Sequence, residues 1–205
     1  MKTIRLSALL LVVALSGCAA IQSSGDITQG RQAYLIGNNE AALSYFQRAA
    51  QIDPNCVYGT PLRHGVWSYV GRTEYATGRL AQARQSLERA LSANQREDIA
   101  RLYLGMTMAR EGDRQQGLKE IEGGMRGIHG WLDNISETLR FSTGKFWDPK
   151  KEIRSEIGIT LAMISKASVD WEKVIASGEW VGKTLEAESD RALRDEIYEI
   201  SRMPN

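Results

Sequence analysis

Apolar positions along this chain fall into one continuous run, followed by a long series at helical spacing. The run is Leu6 to Leu15, broken only by Ser7, and it is too short to span a bilayer, which takes about 20 residues. Beyond it, small and apolar residues recur three and four positions apart, the period of one helix face. The sets are Ala42, Phe46 and Ala49; Ala83, Leu87 and Ala90; Leu104 and Met108; Gly117, Ile121 and Gly124. Leu132, Ile135 and Leu139 follow, then Ile153, Ile157, Leu161 and Ile164, then Trp171, Val174 and Ile175. The pattern predicts an all-α chain.

Punctuation between these sets is regular. Gly37, Gly78 and Gly112 stand where a first helix must stop, because glycine accepts the left-handed conformation there. Asp53-Pro54 closes another helix, since proline cannot continue one. Ser142 to Gly144 ends a short helix over 131–140, and Asp148-Pro149 reads as an N-cap with proline at the first helical position. Ser168 reads as the cap of a helix carrying Trp171, Gly178 as an interruption, and Glu179 as the start of a final helix to about Arg202.

The segments repeat. Gly30 to Gly37 and Gly71 to Gly78 both read Gly-Arg-x-x-Tyr-x-x-Gly, each followed by a second helical pattern; a weaker third copy runs through Leu104, Gly105, Met108 and Gly112. Ala83 lies 41 positions after Ala42, and Gly117 lies 34 after Ala83. These residues resemble the tetratricopeptide repeat, about 34 residues long. Trp67, Val70 and Gly71 reproduce that repeat's opening Trp-x-x-Leu-Gly with valine substituted. The seven surplus residues of the first spacing fall in the Gly/Pro-bearing stretch Asn55 to Pro61. The resemblance covers about Ile27 to Gly127 and implies a solenoid of helical pairs over about 27–60, 64–96 and 97–128; 129–205, which resembles no named family, is expected to supply the C-terminal helices that cap the stack. Glycine stands in the third copy where alanine is usual, so its second helix is expected to be short or frayed.

The chain opens with Lys2 and Arg5 before the apolar run, and the run ends Leu15-Ser16-Gly17-Cys18. A positive start, a short apolar core and small residues at the cut describe a secretory signal over 1–17. The last four residues resemble the lipobox of bacterial lipoproteins. That resemblance implies removal of the leader and acylation of Cys18 with three chains, where one alone would anchor only marginally. Residues 18–25 are expected to form a lipidated polar tether. Ala19, in place of the aspartate associated with inner-membrane retention, points to the outer membrane, with the domain facing the periplasm. Once Cys18 is acylated, Cys56 has no disulfide partner within the chain.

Charge narrows the partners. The formal net charge of +1 becomes −1 when Lys2 and Arg5 leave with the leader, so no basic field exists to collect nucleic acid. His64 and His129 have no metal-ligand spacing, and no nucleophile-elbow, phosphate-loop or haem-attachment motif occurs, so neither metal, cofactor nor catalysis is expected. In tetratricopeptide domains the first helices line a concave face that binds peptides. The resemblance therefore places Arg31, Tyr34, Arg72 and Tyr75 on that face, as a groove for an acidic segment or chain terminus of an envelope partner. The alternative keeps the tyrosines in packing and the arginines in solvent or paired with Glu74. Trp147, Trp171, Trp180, Phe141 and Phe146 either cap the repeat core or form a docking patch. The mixed charges of Glu186 to Glu196 form either a solvated helix face, with Glu188–Arg191 and Asp190–Arg194 pairs, or an ion-pair network buried against the repeats. The expected function is a scaffold for protein–protein contact in envelope assembly, secretion or polysaccharide export. Its rivals are a structural lipoprotein that self-associates through the last helix and an envelope hydrolase built on a carboxylate pair.

Overall fold

The computed structural model describes residues 21–166 and 168–202; the leader and Cys18 lie outside them. Among the described residues the chain is all-α apart from one two-stranded hairpin. Helix α1 covers 21–35 and is followed by α2 (Asn39–Ile52), α3 (Val66–Ala76), α4 (Leu80–Ala93), α5 (Asp98–Glu111) and α6 (Arg114–Thr138). A 3-10 turn (Thr143–Phe146), α7 (Glu152–Ile164) and α8 (Trp171–Ser201) complete it.

Helices α1 to α6 form three antiparallel pairs built on one rule of contact. Gly30, Gly71 and Gly105 each face the residue sixteen positions later, namely the Phe46 ring, the Leu87 side chain and the Ile121 backbone and side chain. A Cβ at any of the three would lie within 2.6 Å of that partner, so only glycine permits the approach. The turns between partners pass through Gly37, Gly78 and Gly112 with φ of +85°, +76° and +104°, as the stop signals predict. Asn38 and Asp113 cap α2 and α6 by accepting from Ala41 N and Gln116 N. The surplus stretch between the first two pairs folds into the hairpin, with Val57 opposite Gly65 and Tyr58 opposite His64.

Four expectations about the elements are corrected. Residues 21–25, read as tether, belong to α1, and Ser23 is fully buried. Helix α6 is neither short nor frayed: it runs 25 residues and absorbs the helix expected over 131–140, so residue 128 is no boundary. The reason is packing, since Gly124 and Gly127 lie against the Leu102 backbone and Asp98 of α5. Contact there outweighs the ~1 kcal/mol by which each glycine disfavours a helix. Asp148 is not the N-cap of α7, which begins at Glu152; instead its carboxylate reaches forward to accept from Ile153 N and Arg154 N. Helix α8 is capped by Asp170, not Ser168, and passes through Gly178 without a break for 31 residues. Gly178 packs on Met106 and Gly182 on Tyr103, so these glycines mark close approach to α5.

Among the described residues no helix is long and apolar enough to cross a membrane. Cys56 is buried, accepting from Ser23 Oγ at 3.6 Å, and is free. The aromatic residues divide: Trp147 is core, edge-on to Trp131 at 4.8 Å, while Trp180 and Phe141 are exposed.

Candidate functional site on the face of the first helices

The Gly-Arg pair fixes the site. Gly30 and Gly71 point at their own partner helices, so the next residue, about 100° round the helix, faces the other way. That puts Arg31 and Arg72 on the shared face of α1, α3 and α5, with Met106 in the corresponding place on α5. Tyr34 and Tyr75 follow one turn later, and Tyr34 Oη lies 2.9 Å from Tyr103 Oη. The structure thus brings all four predicted residues onto one face.

That face is closed. Arg31, Tyr34, Arg72 and Tyr75 are 8%, 8%, 1% and 2% exposed, because α8 lies across them. Glu186 of α8, itself 3% exposed, takes both arginines: Arg31 Nε donates to its Oε1, and Arg72 Nη2 donates to Oε2 at 2.9 Å. Arg31 Nη2 also donates to Asp190 at 2.8 Å, and Tyr75 Oη donates to Glu179 at 2.7 Å, where Arg110 joins. Neither an open groove nor the alternative pairing with Glu74 holds. Glu74 accepts from Ser86 Oγ instead, and Asp190 meets Arg31 rather than Arg194. The Glu188–Arg191 pair does form, and Glu186 and Asp190 make the buried network that the mixed run allowed.

The electrostatics are those of a matched buried cluster. Burial alone would raise the Glu186 carboxyl, but Arg72 and Arg31 hold it down to about 2. Burial also disfavours charge on both arginines and is the largest single effect, but Glu186 together with the surrounding tyrosines, and Asp190 at Arg31, outweighs it, so each stays protonated. Arg72 Nε and Nη1 have no hydrogen-bond partner. The rings of Tyr34, Tyr69 and Tyr103, each 5.3–5.5 Å from its Cζ, supply cation–π attraction in their place. Burial pushes the Tyr69 and Tyr103 hydroxyls well above their ordinary range. A charged arginine under three phenol rings and one carboxylate holds a helix in place, and beside it Tyr34, Tyr75, Tyr103, Arg110 and Glu179 line a hollow of about 320 Å³.

A second polar group stands beside it. His64 and Glu97 are 5% and 4% exposed, with His64 Nδ1 3.5 Å from the carboxylate and Gly65 N donating to the same group at 3.1 Å. They border a hollow of about 150 Å³ with Leu62, Ile128, Trp131 and Leu185. Among the described residues no group of three or more His, Cys, Asp or Glu is placed to hold a metal ion.

Glu186 and Asp190 lie in the mixed-charge run for which a buried network is one of two readings, but their pairing with Arg31 and Arg72 is not read from the sequence. The signal for that pairing is indirect: two arginines 41 positions apart on one face need a counter-charge, and Gly178 and Gly182 mark a helix that docks closely. No protein-family model, curated protein or solved structure matches this chain.

Proposed function

We propose that the chain is a lipoprotein of the bacterial outer membrane, anchored by acylated Cys18, whose tetratricopeptide-like helical pairs face the periplasm and act by holding other envelope proteins. The repeat reading is supported by the same glycine contact recurring in three successive pairs. The observation that carries the functional reading is the position of α8. In the family this chain resembles, the concave face takes a peptide from a partner; here Glu186 occupies that place from within the chain. The acidic segment that Arg31 and Arg72 call for is the protein's own. Partners therefore meet the outer faces of the pairs, and α8 works as a seal that makes the scaffold rigid.

Sealing the groove also favours a second reading, a structural lipoprotein that associates with its own copies. One experiment separates the two. A photo-crosslinking residue is placed at exposed Gln47 of α2 or Gln85 of α4, and the native envelope is irradiated. Discrete adducts with other envelope proteins are expected. Adducts only with a second copy establish the structural reading, and no adducts from either face contradict both.

A further inference from the structure

Several large exposed apolar residues gather at one end of the molecule, away from Ile36 and Trp180. Helix α8 runs antiparallel to α1: Leu35 shares the wall of a surface hollow with Trp180, Lys183 and Ala187, while Arg31, one turn nearer the start of α1, meets Glu186 and Asp190. From that contact α1 extends back ten residues to Ile21 and α8 extends on eleven to Ser201, about 15 Å each in the same sense. The turn after α6 meets α8 there, because Thr143 and Lys145 bond Glu196 and Glu199. At this end Phe141 is 84% exposed, and Leu193, Ile197, Tyr198 and Ile200 are 50–63% exposed. Leu193, Ile197 and Ile200 continue the stripe of Gly182 and Glu186 past the last contact with the repeats, at the same three- and four-residue spacing. Arg140 lies over the Phe141 ring at 4.6 Å and Arg202 over the Tyr198 ring at 5.4 Å.

We infer that this end is a membrane-docking face that inserts into the headgroup region of the bilayer carrying the anchor. The inference rests on acylation of Cys18. Ile21 follows that residue by three positions, a reach of about 10 Å even when fully extended. A folded helix that includes Ile21 holds its own end of the molecule against the lipid. Apolar side chains with arginines stacked on aromatic rings suit that boundary, where rings and stems bury while the cations meet anionic headgroups. Docking fixes which faces of the scaffold point into the periplasm.

The test uses the full lipidated chain in vesicles of phosphatidylethanolamine and phosphatidylglycerol. An environment-sensitive fluorophore is attached after Phe141→Cys or Ile197→Cys, with Ile36→Cys at the opposite end of α1 as control, and spin-labelled lipids serve as quenchers. Blue-shifted emission and quenching several-fold above the control are expected at 141 and 197. Mass spectrometry of Cys18 and sedimentation with the vesicles are read on the same samples. Acylated, sedimenting protein with no excess quenching overturns the docking face and leaves the anchor standing. A blue shift without lipid quenching, together with a crosslinked dimer, overturns it in favour of a second copy. Unacylated protein that stays in solution overturns the anchor and the inference with it.

Discussion

Glu186 sits where two opposing effects meet. Burial penalises its charge, and two guanidinium groups reward it; the carboxyl held down to about 2 shows which wins. Because its folded pKa lies below the ordinary 4.5, the stability it contributes is fully present above pH 4.5 and is lost as pH falls from there towards 2. Acid unfolding followed by circular dichroism should therefore steepen across that window, and Glu186→Gln should flatten it. The same substitution leaves Arg72 without a counter-charge in a place water does not reach. Breaking a buried pair in this way costs about 3–5 kcal/mol, a large part of the 5–15 kcal/mol typical of a domain. Urea unfolding at neutral pH should show a loss of that size. Arg126 offers the contrast: its pair with Glu122 is exposed on both sides, and Arg126→Ala should change the urea midpoint little.

Helix-scale behaviour turns on what each glycine touches. In α6, a Cβ at Gly124 would lie 2.6 Å from Leu102 N and 2.8 Å from Asp98 O, both backbone atoms that cannot give way. At Gly130 on the same helix it would meet nothing within 4 Å. Gly124→Ala should therefore destabilise by about 1–3 kcal/mol despite alanine's better propensity, whereas Gly130→Ala should stabilise by about 0.5–1 kcal/mol. Opposite shifts of the urea midpoint check this. The pair also explains which parts of the fold could be read in advance. Gly37, Gly78 and Gly112 act through their own backbone conformation, a local property that the sequence displays. Gly124 and Gly178 act through a neighbouring helix, so local propensity mistook them for a weak point and a break. Likewise Gly30-Arg31 and Gly71-Arg72 disclosed which face the arginines take, but helical period is silent about what lies opposite, and the occupant of the face stayed hidden.

On the scale of the molecule, α8 bridges α1, α3 and α5, which also meet one another directly, as Tyr34 meets Tyr103. It buries Val174, Val181 and Leu185 completely or nearly so, each contributing about 1.5–3 kcal/mol, and its Glu186 and Asp190 balance Arg31 of α1 and Arg72 of α3. Three helical pairs are close to the minimum for a stable stack, and their end and inner surfaces need a cover. Ending the chain after Lys166 should leave Leu102, Tyr103 and Met106 bare and yield protein that aggregates or unfolds without cooperativity, as judged by gel filtration and thermal melts. The account depends above all on α8 lying against the face that Arg72 lines. A double-mutant cycle of Arg72→Leu and Glu186→Leu, measured by urea unfolding, tests that contact directly. Glu186→Leu strands Arg72, Arg72→Leu leaves Glu186 with Arg31 alone, and the double change removes both members of the contact and leaves Arg31 on Asp190, so the double variant should lose less than the sum of the singles by about 2 kcal/mol or more. Losses that add to within about 0.5 kcal/mol would mean that the two residues do not meet and that the face is open.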